Sequence, residues 1–269
     1  MKSDAVLAGG VAVAVLVCVG AALAWGDSAR IGMPDAAALA RGGVDALEAP
    51  ERGAGAAFTR GVAWMASGGS LYTGTGLVAG RVRVVWASDE YAASLSVAQL
   101  ASPVHRATEC ALVVRARRRM WTAGVGVNVG VLDFDGAEAI ARQVNAMFGV
   151  GWHPSARASV VGAAHLEPRA RASGDARWIA AAKFGFAPGA FLYVQRERNA
   201  GAPARSCFGV TLGTRAVDLS AGYDASARAH TLGGTWNLSE WITCAWGART
   251  HPDLGWSHVW TCVLRLGSR

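Results

Sequence analysis

The sequence predicts an all-β protein, a transmembrane antiparallel β-barrel of about 14 strands with a short N-terminal plug segment. Residues 121–131, WTAGVGVNVGV, alternate apolar side chains with Thr, Gly and Asn without a break, which is the period of a β-strand. Hydrophobic residues make up 52% of the chain, yet no stretch after residue 24 approaches the about 18 apolar residues of a spanning helix. This composition fits many strands that each present one face to lipid.

The length of the 121–131 strand favours a membrane barrel over a soluble sheet. At about 3.3 Å per residue, such a strand tilted by about 40° rises about 25 Å, the height of the apolar band on outer-membrane barrels. Strands of soluble proteins are usually about 5–6 residues long, and their solvent faces carry Lys, Glu and Thr rather than Gly and Asn. A long strand of a soluble sandwich or lipocalin-like barrel remains the alternative.

Residues 1–24 have the features of a secretory signal peptide. Lys2 precedes a long apolar run, and Ala22-Leu23-Ala24 forms an A-x-A cleavage site. An uncleaved anchor helix is the alternative, and lipidation at Cys18 ranks third because Val17 occupies a position that normally holds a small residue. In each case the rest of the chain is exported, and we expect it in the cell outer membrane.

Residues 25–54 lack strand alternation and are rich in Ala, Gly, Asp and Arg. The stretch 35–43, DAAALARGG, predicts a short helix that Asp35 caps and that Gly42-Gly43 ends. We therefore predict that residues 25–54 form a plug or latch and that residues 55–269 form the barrel.

From residue 55 onward the sequence reads as strands separated by turns. The even strand number agrees with single-chain bacterial barrels. Proline provides a separate test, because it cannot donate to a strand ladder, and the prolines of this region fall between the predicted strands. The predicted strands are 56–66, 80–88, 91–99, 109–118, 120–131, 142–152, 156–166, 176–186, 190–197, 205–213, 215–223, 228–237, 240–249 and 256–267. The prolines are Pro103, Pro154, Pro168, Pro188, Pro203 and Pro252.

Several tryptophans lie at or near predicted strand ends, where outer-membrane barrels carry an interfacial girdle of aromatic residues. Core packing would explain any one of them, but together they favour the girdle. They are Trp121, Trp152, Trp178, Trp236, Trp241 and Trp256.

Charged residues fall on the predicted inner faces of several strands. Together with Arg41, Gly42 and Gly43 of the plug, they are the candidate binding residues. Two roles are open: the charges pair with each other and fill the interior, or a basic lining guides an anionic group. The inner-face residues are Arg81, Arg83, Arg115, Arg177, Lys183, Asp218 and Arg249.

The net charge of +7 does not by itself indicate a nucleic-acid partner, because the arginines are scattered along the chain. Anionic lipid headgroups of the outer membrane or an anionic solute explain the excess as well. The histidines show no metal-binding spacing, no serine lies in a G-x-S-x-G elbow, and the carboxylates come singly. We therefore predict no enzyme activity, no metal site and no cofactor.

Four cysteines follow the predicted signal, each inside a predicted strand, and none forms a C-x-x-C pair. They are best interpreted as small apolar side chains, and one disulfide between neighbouring strands is the alternative in an oxidising compartment. The four are Cys110, Cys207, Cys244 and Cys262.

Two segments resemble a known family. Residues 35–47, DAAALARGGVDAL, resemble the Ala-rich opening of FadL-like and PorV/PorQ-like outer-membrane proteins, and 251–266, HPDLGWSHVWTCVLRL, resemble their last hairpin. The resemblance implies a fourteen-stranded outer-membrane barrel with an N-terminal plug. It also implies a channel for small hydrophobic or amphipathic molecules. The PorV-like resemblance implies the alternative, a barrel that transports nothing and anchors a secreted or surface protein partner.

Overall fold

The computed structural model of the chain is a closed antiparallel β-barrel. The predicted signal peptide and most of the predicted plug, including Gly42 and Gly43, lie outside the residues that it describes. The described residues are Ala37, Leu39, Arg41 and residues 61–266 apart from 73–74, 103–104, 135–140, 167–176, 199–202 and 215.

Fourteen strands form the barrel, and each pairs with its neighbours in sequence while β14 pairs with β1 to close the ring. This confirms the predicted fold class and strand number. In the described part of the chain, no helix has the length and apolar character to cross a membrane. The strands are β1 Gly61–Leu71, β2 Leu77–Ala87, β3 Tyr91–Ala101, β4 His105–Arg118, β5 Trp121–Phe134, β6 Ala141–Ser155, β7 Ala158–Leu166, β8 Arg177–Ala187, β9 Ala190–Arg198, β10 Arg205–Gly213, β11 Val217–Asp224, β12 Ala229–Asn237, β13 Ile242–His251 and β14 Gly255–Leu266.

Strand β5 shows how the alternating sequence builds the wall. Trp121 and Val125 are 54% and 55% exposed on the outer face, whereas Thr122 and Asn128 are 1% and 6% exposed on the inner face. Because successive side chains point to opposite faces of a strand, one pattern supplies both an apolar exterior and a small, polar interior. This is the arrangement of a barrel whose outer face contacts lipid.

The two ends of the barrel differ in the length of their links. The first strand begins and the last strand ends at the same end of the barrel, here called the terminal end. The links between strands at this end are at most four residues long. The opposite end, here called the loop end, holds the longest links, 135–140, 167–176 and 199–204. Outer-membrane barrels usually have short turns at the periplasmic end and longer loops at the outer end, and the terminal and loop ends of this barrel differ in the same way.

The predicted first strand, 56–66, is wrong in its bounds: it ends five residues too early, because β1 runs Gly61–Leu71. Gly68 and Gly69 suggest a turn in the sequence but lie within the strand. A Cβ atom on Gly69 would meet the backbone of His258 on β14. Glycine at this position therefore allows the first and last strands to approach closely where the barrel closes.

Pro154 is also placed differently from its prediction, because it lies within β6 rather than between strands. The register of β6 against β7 shifts between Trp152 and Ser155. Proline is tolerated at such an irregularity, because the ladder hydrogen bond that it cannot donate is already missing there.

The predicted tryptophan girdle agrees with the exposure of its members. Trp121, Trp152, Trp178, Trp241 and Trp256 are 40% exposed or more, and Trp236 is partly buried. Trp121 and Trp152 lie directly opposite each other on β5 and β6, with ring centroids 6.3 Å apart and a 36° angle between the rings. They form a cross-strand aromatic pair at the terminal end.

We expect Trp121 and Trp152 to be coupled energetically. In a double-mutant cycle with alanine at both positions, the coupling should be about 0.5–1.5 kcal/mol, because offset aromatic pairs gain this much beyond their burial. Urea unfolding in lipid vesicles measures it. The control cycle joins Trp121 with Trp178 at the loop end, where additivity within about 0.5 kcal/mol is expected. Equal coupling in the two cycles would contradict a specific Trp121–Trp152 contact.

Candidate functional site

The interior of the barrel contains all of the inner-face residues predicted from the sequence. Arg81, Arg83 and Arg115 are 7%, 1% and 3% exposed, and the other four are partly buried. Their position follows from the alternation, since their sequence neighbours carry the exposed apolar side chains. Their role in binding stays a prediction.

Five charged side chains make a continuous series of ion pairs along the inner wall at the loop end, here called the ionic chain. Glu197 forms an ion pair with Arg177, and its Oε2 atom lies 4.0 Å from Nη1 of Arg205. Positive and negative side chains thus alternate along the series. The ionic chain consists of Arg177 on β8, Glu197 on β9, Arg205 on β10, Asp224 on β11 and Arg249 on β13.

Asp224 is the most connected member of the ionic chain. Its Oδ2 atom accepts hydrogen bonds from Nη2 of Arg205 and Nη2 of Arg249, both at 2.8 Å, and from Nε of Arg205 at 2.9 Å. Its Oδ1 atom accepts from the backbone N–H groups of Ser226 and Ala227 at 3.2 and 3.3 Å. One carboxylate, 1% exposed, therefore joins two arginines and orders the turn between β11 and β12.

Two of the predicted interior charges, Arg177 and Arg249, form ion pairs, but not with each other or with the other predicted residues. Both pair with acids that the prediction did not include, Glu197 and Asp224. Asp224 could have been found, because it continues the inner face of Asp218 with period 2. Glu197 lies on the strand whose alternation is among the weakest in the sequence.

An apolar patch covers the inner wall between the ionic chain and the terminal end. Lys183 lies beside it, with Nζ 4.3 Å from the ring centroid of Phe191 and 5.9 Å from that of Tyr193. A cation over aromatic rings gains electrostatic energy from their π faces. The patch therefore offers apolar and aromatic surface with one positive charge at its edge. It consists of Val161, Ala163, Ile179, Ala181, Phe191, Tyr193 and Cys207.

The described residues of the N-terminal segment lie inside the barrel. Leu39 is 3% exposed and belongs to a buried apolar cluster with inward-facing residues of four strands, Ala79, Ala107, Ala245 and Val259. Apolar contact of this kind is the main source of stability for a segment without strand pairing.

Arg41, the next residue but one after Leu39, contacts a different part of the wall. Its Cζ atom lies 4.8 Å from the ring centroid of Tyr193 on β9, and the side chain is 7% exposed. Its backbone passes over Gly209 on β10, where a Cβ atom would come within 2.6 Å of the Arg41 carbonyl oxygen. The absence of a side chain at Gly209 makes room for the N-terminal segment.

Leu39 and Arg41 contact opposite walls of the barrel. Leu39 packs against β2, among other strands, whereas Arg41 contacts β9, which lies seven strands from β2 in either direction around the ring. A stretch of three residues therefore crosses the interior. At this level the N-terminal segment occupies the space between the two walls.

The contact between Arg41 and Tyr193 should stabilise the N-terminal segment in the barrel. Tyr193→Leu keeps an apolar side chain but removes the π face, and the expected cost for the bound segment is about 0.5–2 kcal/mol. Limited proteolysis of the N-terminal segment in the folded barrel measures this. Arg41→Gln should give a similar increase in cleavage and no further increase in the Tyr193→Leu background. Additive effects of the two variants would contradict a direct contact.

The four described cysteines are thiols in the structure, and their positions differ. Cys207 faces inward, whereas Cys244 and Cys262 face each other on the outer wall. Among the described residues, no group of three or more His, Cys, Asp or Glu side chains is placed to hold a metal ion. The absence of a cofactor and of enzyme activity stays a prediction.

This barrel is similar to known proteins in its structure but not in its sequence. No protein-family model and no sequence of a characterised protein matches the chain. The toluene transporter TodX of Pseudomonas putida superposes with a TM-score of 0.63 at 8% identity, over 88% of this chain and 98% of that one. The toluene transporter TbuX of Ralstonia pickettii superposes with a TM-score of 0.61 at 9% identity, over 87% and 98% of the two chains. This likeness confirms the predicted FadL-like barrel fold.

Proposed function

We propose that this protein carries small hydrophobic molecules across the outer membrane through its barrel, with the N-terminal segment acting as the plug. The observation that carries the proposal is the crossing of the interior by Leu39 and Arg41, which contact opposite walls. A segment in this position obstructs the interior, and its displacement would open a path along the wall.

The composition of the inner wall supports a hydrophobic solute. The apolar patch around Tyr193 and Phe191 gives aromatic and aliphatic surface of the kind that lines sites for small apolar ligands. A further buried apolar group inside the barrel consists of Ala111, Val113 and Met147. The similar barrels TodX and TbuX are described as transporters of toluene, so a monoaromatic hydrocarbon is the natural first probe.

The charged residues of the inner wall fit a different role in this proposal. Arg177 and Arg249 are held by Glu197 and Asp224, so their charges are largely compensated. We assign the ionic chain to holding β8 to β13 together at the loop end. Arg41 and Lys183 lie over aromatic rings of the apolar patch, and they would tolerate an amphipathic solute with a negative end.

Uptake of radiolabelled toluene by cells that express the chain tests the proposal. The initial rate should rise severalfold over cells with an empty vector, because diffusion of apolar solutes through the outer leaflet is replaced by passage through the barrel. A mobility shift on boiling in gels of the outer-membrane fraction shows that the barrel is folded. Folded barrel with uptake at the vector level would overturn the proposal.

Two further outcomes separate the alternatives. Swelling of protein-containing liposomes in a neutral disaccharide, without faster toluene uptake, would indicate a pore for hydrophilic solutes instead. Co-purification of a secreted protein, without flux of either solute, would support the predicted anchor barrel. Neither the described contacts nor the comparisons favour that second function.

A further inference from the structure

Cys244 and Cys262 lie directly opposite each other on β13 and β14. Their sulfur atoms are 3.6 Å apart. A disulfide bond is about 2 Å long, so bond formation requires the two sulfurs to approach by about 1.5 Å. Rotation about the Cα–Cβ bonds provides this movement without displacing the strands.

The strand pairing places the two cysteines at the favourable kind of position. The backbone N–H of Arg265 donates to the carbonyl of Trp241 at 2.8 Å, so these two opposite residues form a hydrogen-bonded pair. Hydrogen-bonded and non-hydrogen-bonded pairs alternate along antiparallel strands, which makes Cys244 and Cys262 a non-hydrogen-bonded pair. Such pairs have Cα atoms about 4.5 Å apart, within the about 4.4–6.8 Å that disulfides span.

The other two described cysteines are not placed for this reaction. Cys207 is 1% exposed on the inner wall, and Cys110 lies opposite Val97 and Val129 on the neighbouring strands. Cys244 and Cys262 lie on the outer face near the terminal end, two residues from the last strand pair, beside Trp236 and Ala66. Only this pair is close in the described part of the chain.

We propose that Cys244 and Cys262 form a disulfide that links the last two strands of the barrel in the exported protein. The reaction is an exchange with the disulfide of a thiol oxidant of the periplasm. One cysteine thiolate attacks the donor disulfide to give a mixed disulfide, and the second thiolate then displaces the donor. The donor leaves as a dithiol with both protons, and the protein gains one S–S bond.

The location gives the bond a structural consequence. β14 pairs with both β13 and β1, so it is the strand that closes the ring. A link between β13 and β14 reduces the number of conformations that the unfolded chain can adopt. It also keeps the closing strand next to its hairpin partner. The proposal requires passage through an oxidising compartment but does not depend on what the barrel transports.

Peptide mapping of the outer-membrane protein, isolated without reductant, tests the proposal. Free thiols are alkylated in denaturant before trypsin digestion, and cleavage after Arg228, Arg249 and Arg265 places Cys244 in 229–249 and Cys262 in 250–265. The two peptides should be recovered joined, at a mass lower by two hydrogen atoms than their sum. Cys110 and Cys207, in peptides 107–115 and 206–215, should be alkylated and serve as internal controls.

Alkylated Cys244 and Cys262 in folded outer-membrane protein would overturn the proposal, and so would a disulfide that joins either of them to another cysteine. A second measurement is the temperature of the mobility shift on heating. Reductant should lower it for the original protein and for Cys110→Ser, but not for Cys262→Ser. An equal effect of reductant on all three would also contradict the proposal.

Discussion

Replacing Asp224 with alanine is expected to lower the free energy of unfolding of the barrel by about 3 kcal/mol. The substitution leaves the guanidinium groups of Arg205 and Arg249 without the carboxylate that they share. Removal of one partner from a buried ion pair costs about 3–5 kcal/mol. The lower end of this range applies because the two arginine side chains are 31% and 20% exposed. Water can therefore solvate part of each guanidinium group once the carboxylate is removed.

Urea unfolding in lipid vesicles, followed by tryptophan fluorescence, measures the effect. Asp224→Asn separates the loss of the carboxylate charge from the loss of the hydrogen bonds in the turn. The amide oxygen can still accept from the N–H groups of Ser226 and Ala227, but the charge is gone. We expect this variant to fall between the original protein and Asp224→Ala. Asp253→Ala, in an exposed turn at the same end, is the matched control and should change stability by less than about 0.5 kcal/mol. Equal losses for Asp224→Ala and Asp253→Ala would contradict the ionic chain.

The second large effect is expected at Gly209, where alanine should release the N-terminal segment from the barrel. The new Cβ atom would lie 2.6 Å from the carbonyl oxygen and 2.9 Å from the Cα atom of Arg41, so the backbone of the segment must move. Inserting a methyl group into a packed site costs about 1–3 kcal/mol. This corresponds to an about 5- to 150-fold shift toward the displaced segment.

Ion conductance of single barrels in planar bilayers measures the shift as a longer time in the open state. Gly162→Ala is the matched control, because its Cβ atom would meet only the carbonyl oxygen of Ile179, at 4.0 Å. It should conduct as the original protein does. Equal conductance of the Gly209 and Gly162 variants, both with the mobility shift of a folded barrel, would mean that the segment does not close the interior.

The substitutions at Asp224 and Gly209 act on different parts of the barrel. Asp224 lies on the wall at the loop end and pairs with arginines of the barrel strands, so its loss should affect unfolding more than conductance. Gly209 lies under the segment and should affect conductance more than unfolding. A reversal of these two results would show that the plug, and not the ionic chain, stabilises the wall.

The sequence by itself determined the strands and their faces. Residues 121–131 predict the outer and inner faces of β5 correctly, and the same period places Arg83 and Arg115 inside. This succeeds because alternation is a local property: each side chain points away from its neighbour whatever the strand pairs with. At the consecutive glycines Gly68 and Gly69 the local signal fails, since the same residue serves turns and close strand contacts.

The tertiary structure alone decided which side chains meet. The partners Glu197 and Asp224 of the ionic chain, the sulfur contact of Cys244 with Cys262, and the position of Arg41 between Tyr193 and Gly209 all depend on strand register and on closure of the ring. Register is set by turn geometry and by the pairing of whole strands, and closure joins β1 to β14 across the length of the chain. A period of two carries no information about either, so the contacts that support function could be seen only in the folded barrel.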